Sequence, residues 1–175
     1  MTEPDLVWRQ LKTAAETRPL QAFACTEDRP RTQGGRFLPH PKPWEWEAQR
    51  HLRQLSQHFK YGDLVVVGLR HDEPLACAHL LVDQEPGRLV GVFVAAAAVG
   101  RPVRGQGGAV ADALMHQIAA DCAAIASAAG ATDHVISGKI HVRNIASQLM
   151  AQRAGMEPNG LPAEDYQLWA RIDRF

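Results

Sequence analysis

The most constraining feature of this chain is the junction Val103-Arg104-Gly105-Gln106-Gly107-Gly108-Ala109, which joins an unbroken apolar run, Leu89 to Val99, to an alanine-rich stretch from Gly108 to Ala129. The run reads as a buried strand. Behind the junction Val110, Leu114, Ile118, Cys122 and Ile125 fall on one helical face, and Gly130 ends the helix. A strand that feeds a long helix through three glycines requires layers of sheet and helix. Glycines let backbone N–H groups approach an anion with no Cβ in the way, and a helix N-terminus adds partial positive charge, so the turn suits a pyrophosphate. A strand-to-helix turn without a ligand is the plainer alternative.

The remaining elements follow from periodicity and punctuation. Residues from about Pro4 to Thr17 read as a first helix, with Leu6, Val7, Leu11 and Ala14 at three- and four-residue spacing. Arg18 to Lys42 is irregular. A second helix is expected from Pro43 to His58, with Trp46, Leu52, Leu55 and Phe59 on one side. Strand-like runs at Leu64 to Arg70, Leu75 to Val82 and Leu89 to Val99 are separated by turn signals and imply an antiparallel meander. After the long helix come a strand from Val135 to Val142, a short helix from Ile145 to Ala154, and a last strand with Tyr166, Leu168, Ala170 and Ile172 on one face. No internal repeat or linker divides the chain, so 1–175 reads as a single α/β domain.

Composition narrows the function classes. With 46% apolar residues over 175, a sizeable core can be buried without disulfides or metals. Cys25, Cys77 and Cys122 are odd in number and lack C-x-x-C spacing, which points to reduced thiols in a cytoplasmic protein. The stretch from Met1 to Gln10 carries acidic residues where a secretion signal carries basic ones, and no run of about 18 apolar residues suggests membrane insertion. Nineteen basic residues balance nineteen acidic ones, so no overall field gathers nucleic acid or anionic lipid. The one basic cluster, Arg29, Arg31, Arg36 and Lys42, is interleaved with prolines and glycines and reads as a solvated loop.

Three nucleotide-binding patterns compete at the glycine turn. A Walker A loop through Gly100 and Gly105 needs Lys and Ser or Thr next, where Gln106 and Gly107 stand. A Rossmann fingerprint from Gly105 and Gly107 needs a third small residue at Val110 and an alternating βαβ chain, not an antiparallel meander. The third pattern, R-x-x-G-x-A from Arg104 through Gly107 to Ala109, resembles the acyl-CoA-binding motif of the GNAT acetyltransferases. Downstream, Asn144, Ser147, Gly155 and Met156 are similar in order and spacing to that family's second signature, although local chemistry alone explains Asn144 as a helix cap and Gly155 as a stop. Glu164-Asp165-Tyr166-Gln167-Leu168-Trp169 resembles its last strand, and the likeness covers 63–172.

The resemblance implies a mixed, mostly antiparallel sheet flanked by helices, whose third and fourth long strands splay apart at a bulge to admit the pantetheine arm of acetyl-CoA. Residues 63–172 form the CoA-binding core, and the helical region 1–60 shapes the acceptor side. Backbone groups of Ala97, Ala98 and Val99 bond the pantetheine; Arg104, Gly105, Gln106, Gly107, Gly108, Ala109 and Val110 hold the pyrophosphate; Asn144 and Ser147 contact the arm near the thioester. An amine then attacks the thioester carbonyl directly, its oxyanion held by the Val99 N–H. No metal is implied, the acceptor amine belongs to a small molecule or a protein, and a homodimer is allowed.

The chain departs from its relatives where acid and base are expected. Ala151 stands in place of the tyrosine acid and Lys139 in place of a glutamate, so the base is sought at His79 first and His141 second, against the plainer reading of structural histidines. Trp44 and Trp46 are candidate walls of the acceptor pocket. The same departures favour, as an alternative, a catalytically silent acyl-CoA-binding regulatory module.

Overall fold

β-Branched and apolar runs punctuated by tight turns build most of the sheet. The computed structural model describes residues 5–85, 89–105 and 107–174; Pro86 and Gly87, the turn signal expected between the runs Leu75 to Val82 and Leu89 to Val99, lie outside them. Seven strands, β1 (Val7–Leu11), β2 (Asp63–Arg70), β3 (Glu73–Glu85), β4 (Leu89–Val99), β5 (Asp133–His141), β6 (Glu157–Pro158) and β7 (Tyr166–Arg174), form one open sheet in the order β1-β2-β3-β4-β5-β7-β6. β4 and β5 are parallel and every other pair is antiparallel. The helices are α1 (Pro43–Arg53), α2 (Leu55–His58), α3 (Ala109–Ala128) and α4 (Ile145–Arg153), with 3-10 turns at Arg18–Ala22 and Arg101–Val103.

Side-chain alternation along the strands divides the core in two. Val66, Ala76, Ala78, Leu80, Val90 and Val92 face α3, where Leu114, Ile118 and Cys122 are buried against them. Val65, Val67 and Cys77 point the other way, to Leu52, Leu55, Leu20 and Phe23. Each fully buried leucine contributes about 1.5–3 kcal/mol. By length and hydropathy α3 is the one helix among the described residues able to cross a membrane. Here its apolar stripe is packed on the sheet, as in a core helix.

Three expectations need correction. The helix expected from Pro4 to Thr17 is instead the edge strand β1 followed by a turn, because β2 offers an open edge and Gly68 a seat for an aromatic ring. Trp8 pairs with Gly68, and a Cβ on that glycine would lie 2.8 Å from the indole. Gln10 anchors the strand to α3 through Asp121 at 2.8 Å. The expected helix from Pro43 to His58 is broken at Gln54 into α1 and α2. In β7 the core face is that of Gln167 and Trp169, both buried, whereas Ile172 on the expected apolar face is 65% exposed.

The register places an opening in the sheet. Pairing of β4 with β5 runs from Leu89↔Asp133 to Val94↔Gly138 and stops. Beyond it β4 continues on β3 alone to Val99, and β5 on β7 alone to His141. A bulge sits at the parting point: His79 pairs with Ala96 and Leu80 with Val94, leaving Ala95 as the extra residue. The bulge switches the faces of β4, so that Val92 faces α3 before it and Ala96 and Ala98 face the α1 side after it.

Candidate active site: a cleft in the splay

Two adjoining cavities occupy the opening. One, about 430 Å³, runs from Ala97, Ala98 and Val99 to the glycine turn, lined there by Arg104, Gly105, Gly107, Gly108 and Val110. The other, about 370 Å³, lies between the bulge residues Ala95 to Ala97 and a stripe of α1 and α2. Trp44, Ala48, Ala97, Asn144, Ser147 and Met150 line both and so form the neck between them.

Antiparallel alternation sets which backbone groups face the first cavity. The Gly100 N–H donates to the Leu75 carbonyl at 2.7 Å, so Ala98 and Ala96 are likewise turned to β3, while Val99 and Ala97 are turned into the splay. Ala98 therefore offers the cavity its small side chain, not its amide. The outward Val99 carbonyl accepts a hydrogen bond from Arg104 Nε at 3.1 Å.

At the glycine turn, Gly107 and Gly108 have φ of 64° and 86°, a region that favours glycine, and no side chain caps the N-terminus of α3. Val110 and Ala111, in the first turn of this helix, line the cavity. Arg104 is braced by Glu45 at 3.0 Å. Burial raises the Glu45 pKa, but the guanidinium outweighs it and holds the carboxyl below its usual range. A second guanidinium, Arg153 of α4, reaches over the turn, where a Cβ on Gly108 would lie 2.7 Å from its Nη2; Asp112 holds it there at 2.8 Å. Sequence reasoning missed Arg153, which becomes visible only once α4 packs against the start of α3. Gln106 lies outside the described residues, and Ala109 begins α3.

Asn144 caps α4, its Oδ1 accepting the Ser147 N–H at 3.3 Å and its Nδ2 donating to Ser147 Oγ at 2.8 Å. Cap and cavity wall are thus one pair of side chains. Gln49, fully buried in α1, accepts from the Cys25 and Thr26 N–H groups at 2.8 and 2.9 Å and so fixes the loop that closes the first cavity. Burial raises the Cys25 pKa and keeps it a thiol.

The second cavity has a polar wall. Glu47, Arg50, His51, Gln54 and His58 line it at helical spacing along α1 and α2, and Lys139, His141, Ala151 and Tyr166 stand opposite. Tyr166 donates to Glu47 at 2.7 Å; burial, then this bond, pushes its pKa up to about 12, so it stays protonated. His141 packs between Trp44 and Tyr166, and its Nδ1 accepts the Arg143 N–H at 3.1 Å. Trp46 lines neither cavity and stacks on His40, so only Trp44 of the tryptophan pair is a wall.

His79 is 3% exposed and lines neither cavity. It lies beneath His51, its Nδ1 2.9 Å from His51 Nε2, with Asp63 Oδ2 3.2 Å from its other nitrogen. Burial, then the facing imidazoles of His79 and His58, lower the His51 pKa to about 4 against the pull of Asp63. Burial lowers His79 as well. Unfolding raises both values, so the unfolded chain binds more protons between about pH 4 and 6.5, and stability present above that window is lost as pH falls through it. The melting temperature should therefore fall between pH 7 and 5, and fall less in His51→Gln; parallel slopes in the two proteins would contradict this assignment.

No protein-family model matches the sequence, and no curated protein is significantly similar to it. Solved structures do match the fold. A GNAT-family acetyltransferase from Streptococcus pneumoniae superposes with a TM-score of 0.55 at 15% identity, over 96% of this chain and 99% of that one. AtaTR bound with acetyl-CoA gives 0.57 at 17%, over 94% and 92%. A mutant AtaT toxin bound to the C-terminus of the antitoxin AtaR gives 0.56 at 18%, over 94% and 90%. The fold is that of the GNAT acetyltransferases.

Proposed function

We propose that this chain is a cytoplasmic N-acetyltransferase that moves acetyl from acetyl-CoA to an amine. The observation that carries the reading is the continuous cleft through the splay, with uncapped helix amides and Arg153 at one end and the polar α1 wall at the other. The diphosphate takes the glycine-turn end. The pantetheine extends along β4, bonding the outward groups of Ala97 and Val99, and the thioester reaches the neck beside Asn144 and Ser147.

The amine enters from the second cavity and attacks the thioester carbonyl; a C–N bond forms, the C–S bond breaks, and one proton leaves the nitrogen. Val99 borders only the first cavity. The oxyanion donor is therefore assigned to the outward-turned Ala97 amide at the neck, in place of Val99. A CoA thiolate needs little acid assistance, because a thiol, with a pKa of about 8.5, is a far better leaving group than an alcohol or amine. Ala151, 1% exposed on the cavity wall, supplies no phenol, and this favours a silent acyl-CoA-binding module as the second reading.

Calorimetry with acetyl-CoA, followed by thiol release with spermidine, an aminoglycoside and a lysine peptide, separates the readings. Binding with turnover on one amine is expected. Binding with none favours the silent module, and no binding removes both.

A further inference from the structure

The second cavity holds a histidine that the glycine turn and the Asn144 signature do not account for. His51 projects from α1 into the space bordered by Ala95, Ala96 and Ala97. Behind it the sheet register assembles a line of polar groups. His79 of β3 pairs with Val65 of β2, and Asp63, two residues along the same strand face, is its diagonal neighbour.

The hydrogen-bond directions along this line are determined by its far end. Asp63 accepts the Lys60 N–H at 2.8 Å, and its carboxylate has no proton to donate. His79 Nε2, 3.2 Å from that carboxylate though off the ideal hydrogen-bond angle, therefore carries its proton, which leaves Nδ1 bare. His51 Nε2, 2.9 Å from the bare nitrogen, must donate. A neutral imidazole has one N–H, so His51 Nδ1 keeps its lone pair. His141 is wired in the opposite sense: its Nδ1 already accepts from Arg143, so in the neutral ring Nε2 bears the proton and has nothing to accept with.

We propose that His51 is the proton acceptor of the transfer reaction, held in the competent tautomer by His79 and Asp63 as positioning residues. This rests on the acetyltransferase reading. In the tetrahedral adduct the attacking nitrogen is an ammonium, far more acidic than that of the free amine, and it loses one proton to His51 Nδ1. The resulting imidazolium keeps its Nε2–H on His79, whose own N–H faces the Asp63 carboxylate, and the proton then passes to solvent or to the departed thiolate. Burial and the facing His79 and His58 rings keep His51 neutral at physiological pH, with Asp63 opposing and Glu47 and Arg50 on the same wall. The lone pair is thus present at physiological pH.

The test combines ring-nitrogen NMR of the full chain with kinetics on spermidine, an aminoglycoside and a lysine peptide. Expected are a bare Nδ1 and protonated Nε2 on His51. His51→Ala should lose about 100-fold or more in kcat, with acetyl-CoA affinity unchanged by calorimetry and partial recovery on adding imidazole. Asp63→Asn should lose kcat while KM for acetyl-CoA holds. A protonated Nδ1 in the wild type, or active wild type with His51→Ala within threefold of it, overturns the relay alone. Wild type that binds acetyl-CoA but is inert on every amine overturns the transferase reading, and the relay's role with it.

Discussion

Gly107→Glu is expected to weaken acetyl-CoA binding by more than about 100-fold while leaving the protein folded. Gly107 sits at φ 64° with nothing within 4 Å of the place a Cβ would take, so the first atom of a new side chain meets no neighbour, and the residue lines the first cavity. The backbone conformation costs an L-residue about 1–2 kcal/mol, which a domain of this size tolerates. Binding suffers far more. The carboxylate stands where the helix amides and Arg153 favour an anion, and like charges brought together cost several kcal/mol. At about 1.4 kcal/mol per tenfold this exceeds two decades. Gly107→Ala shares the strain without the charge and should bind within about tenfold of wild type. Calorimetry on both variants decides: equal affinity for the glutamate variant and wild type removes the diphosphate from this turn.

How much of this molecule is legible in its sequence depends on how local each signal is. β4, α3 and α4 carry their own punctuation, an apolar run, a glycine turn, an asparagine cap, and all three stand within a residue or two of their expected places. The order of elements, through the resemblance, also implies the splay between β4 and β5. β1 reads wrongly as a helix because its apolar spacing suits either element, and the deciding contact, Trp8 over Gly68, joins residues far apart in the chain. For β7 the sequence sorts the residues correctly onto two faces but points to the wrong one as buried, since the neighbouring helix decides which side is core.

The acceptor wall shows the same limit. Glu47, His51, Gln54 and His58 already sit at helical spacing in a segment expected to be helical, which is a usable signal. Nothing local distinguishes them from a solvated face. His79 stands out as a histidine within an apolar strand, but its depth beneath His51 is a property of the β2–β3 register. Arg153 likewise reads as a helix-end cation until α4 is placed across the start of α3.

Small residues at the neck make a different demand, and Ala97→Phe should fail it by losing acetyl-CoA while keeping pyrophosphate. Ala97 lines the two cavities at once, on a strand whose partner has already departed, so its methyl group stands between the cleft and the core on the α3 side. A phenylalanine there fills the passage that the pantetheine must thread. It also buries its own ring against Met150 and the packed α3 face, so the fold should melt within a few degrees of wild type, a shift of about 1 kcal/mol or less. Acetyl-CoA affinity should drop by more than about 100-fold, because a ligand excluded from the neck loses its strand hydrogen bonds, about 0.5–1.5 kcal/mol each, and the burial of its arm, about 0.8 kcal/mol per CH₂, which together exceed the roughly 2.7 kcal/mol of two decades. Free pyrophosphate, which does not reach the neck, should bind the variant as it binds wild type. Retained acetyl-CoA affinity in a well-folded Ala97→Phe would place the coenzyme outside the splay, whereas joint loss of pyrophosphate binding would mean that the substitution had disturbed the turn as well as the passage.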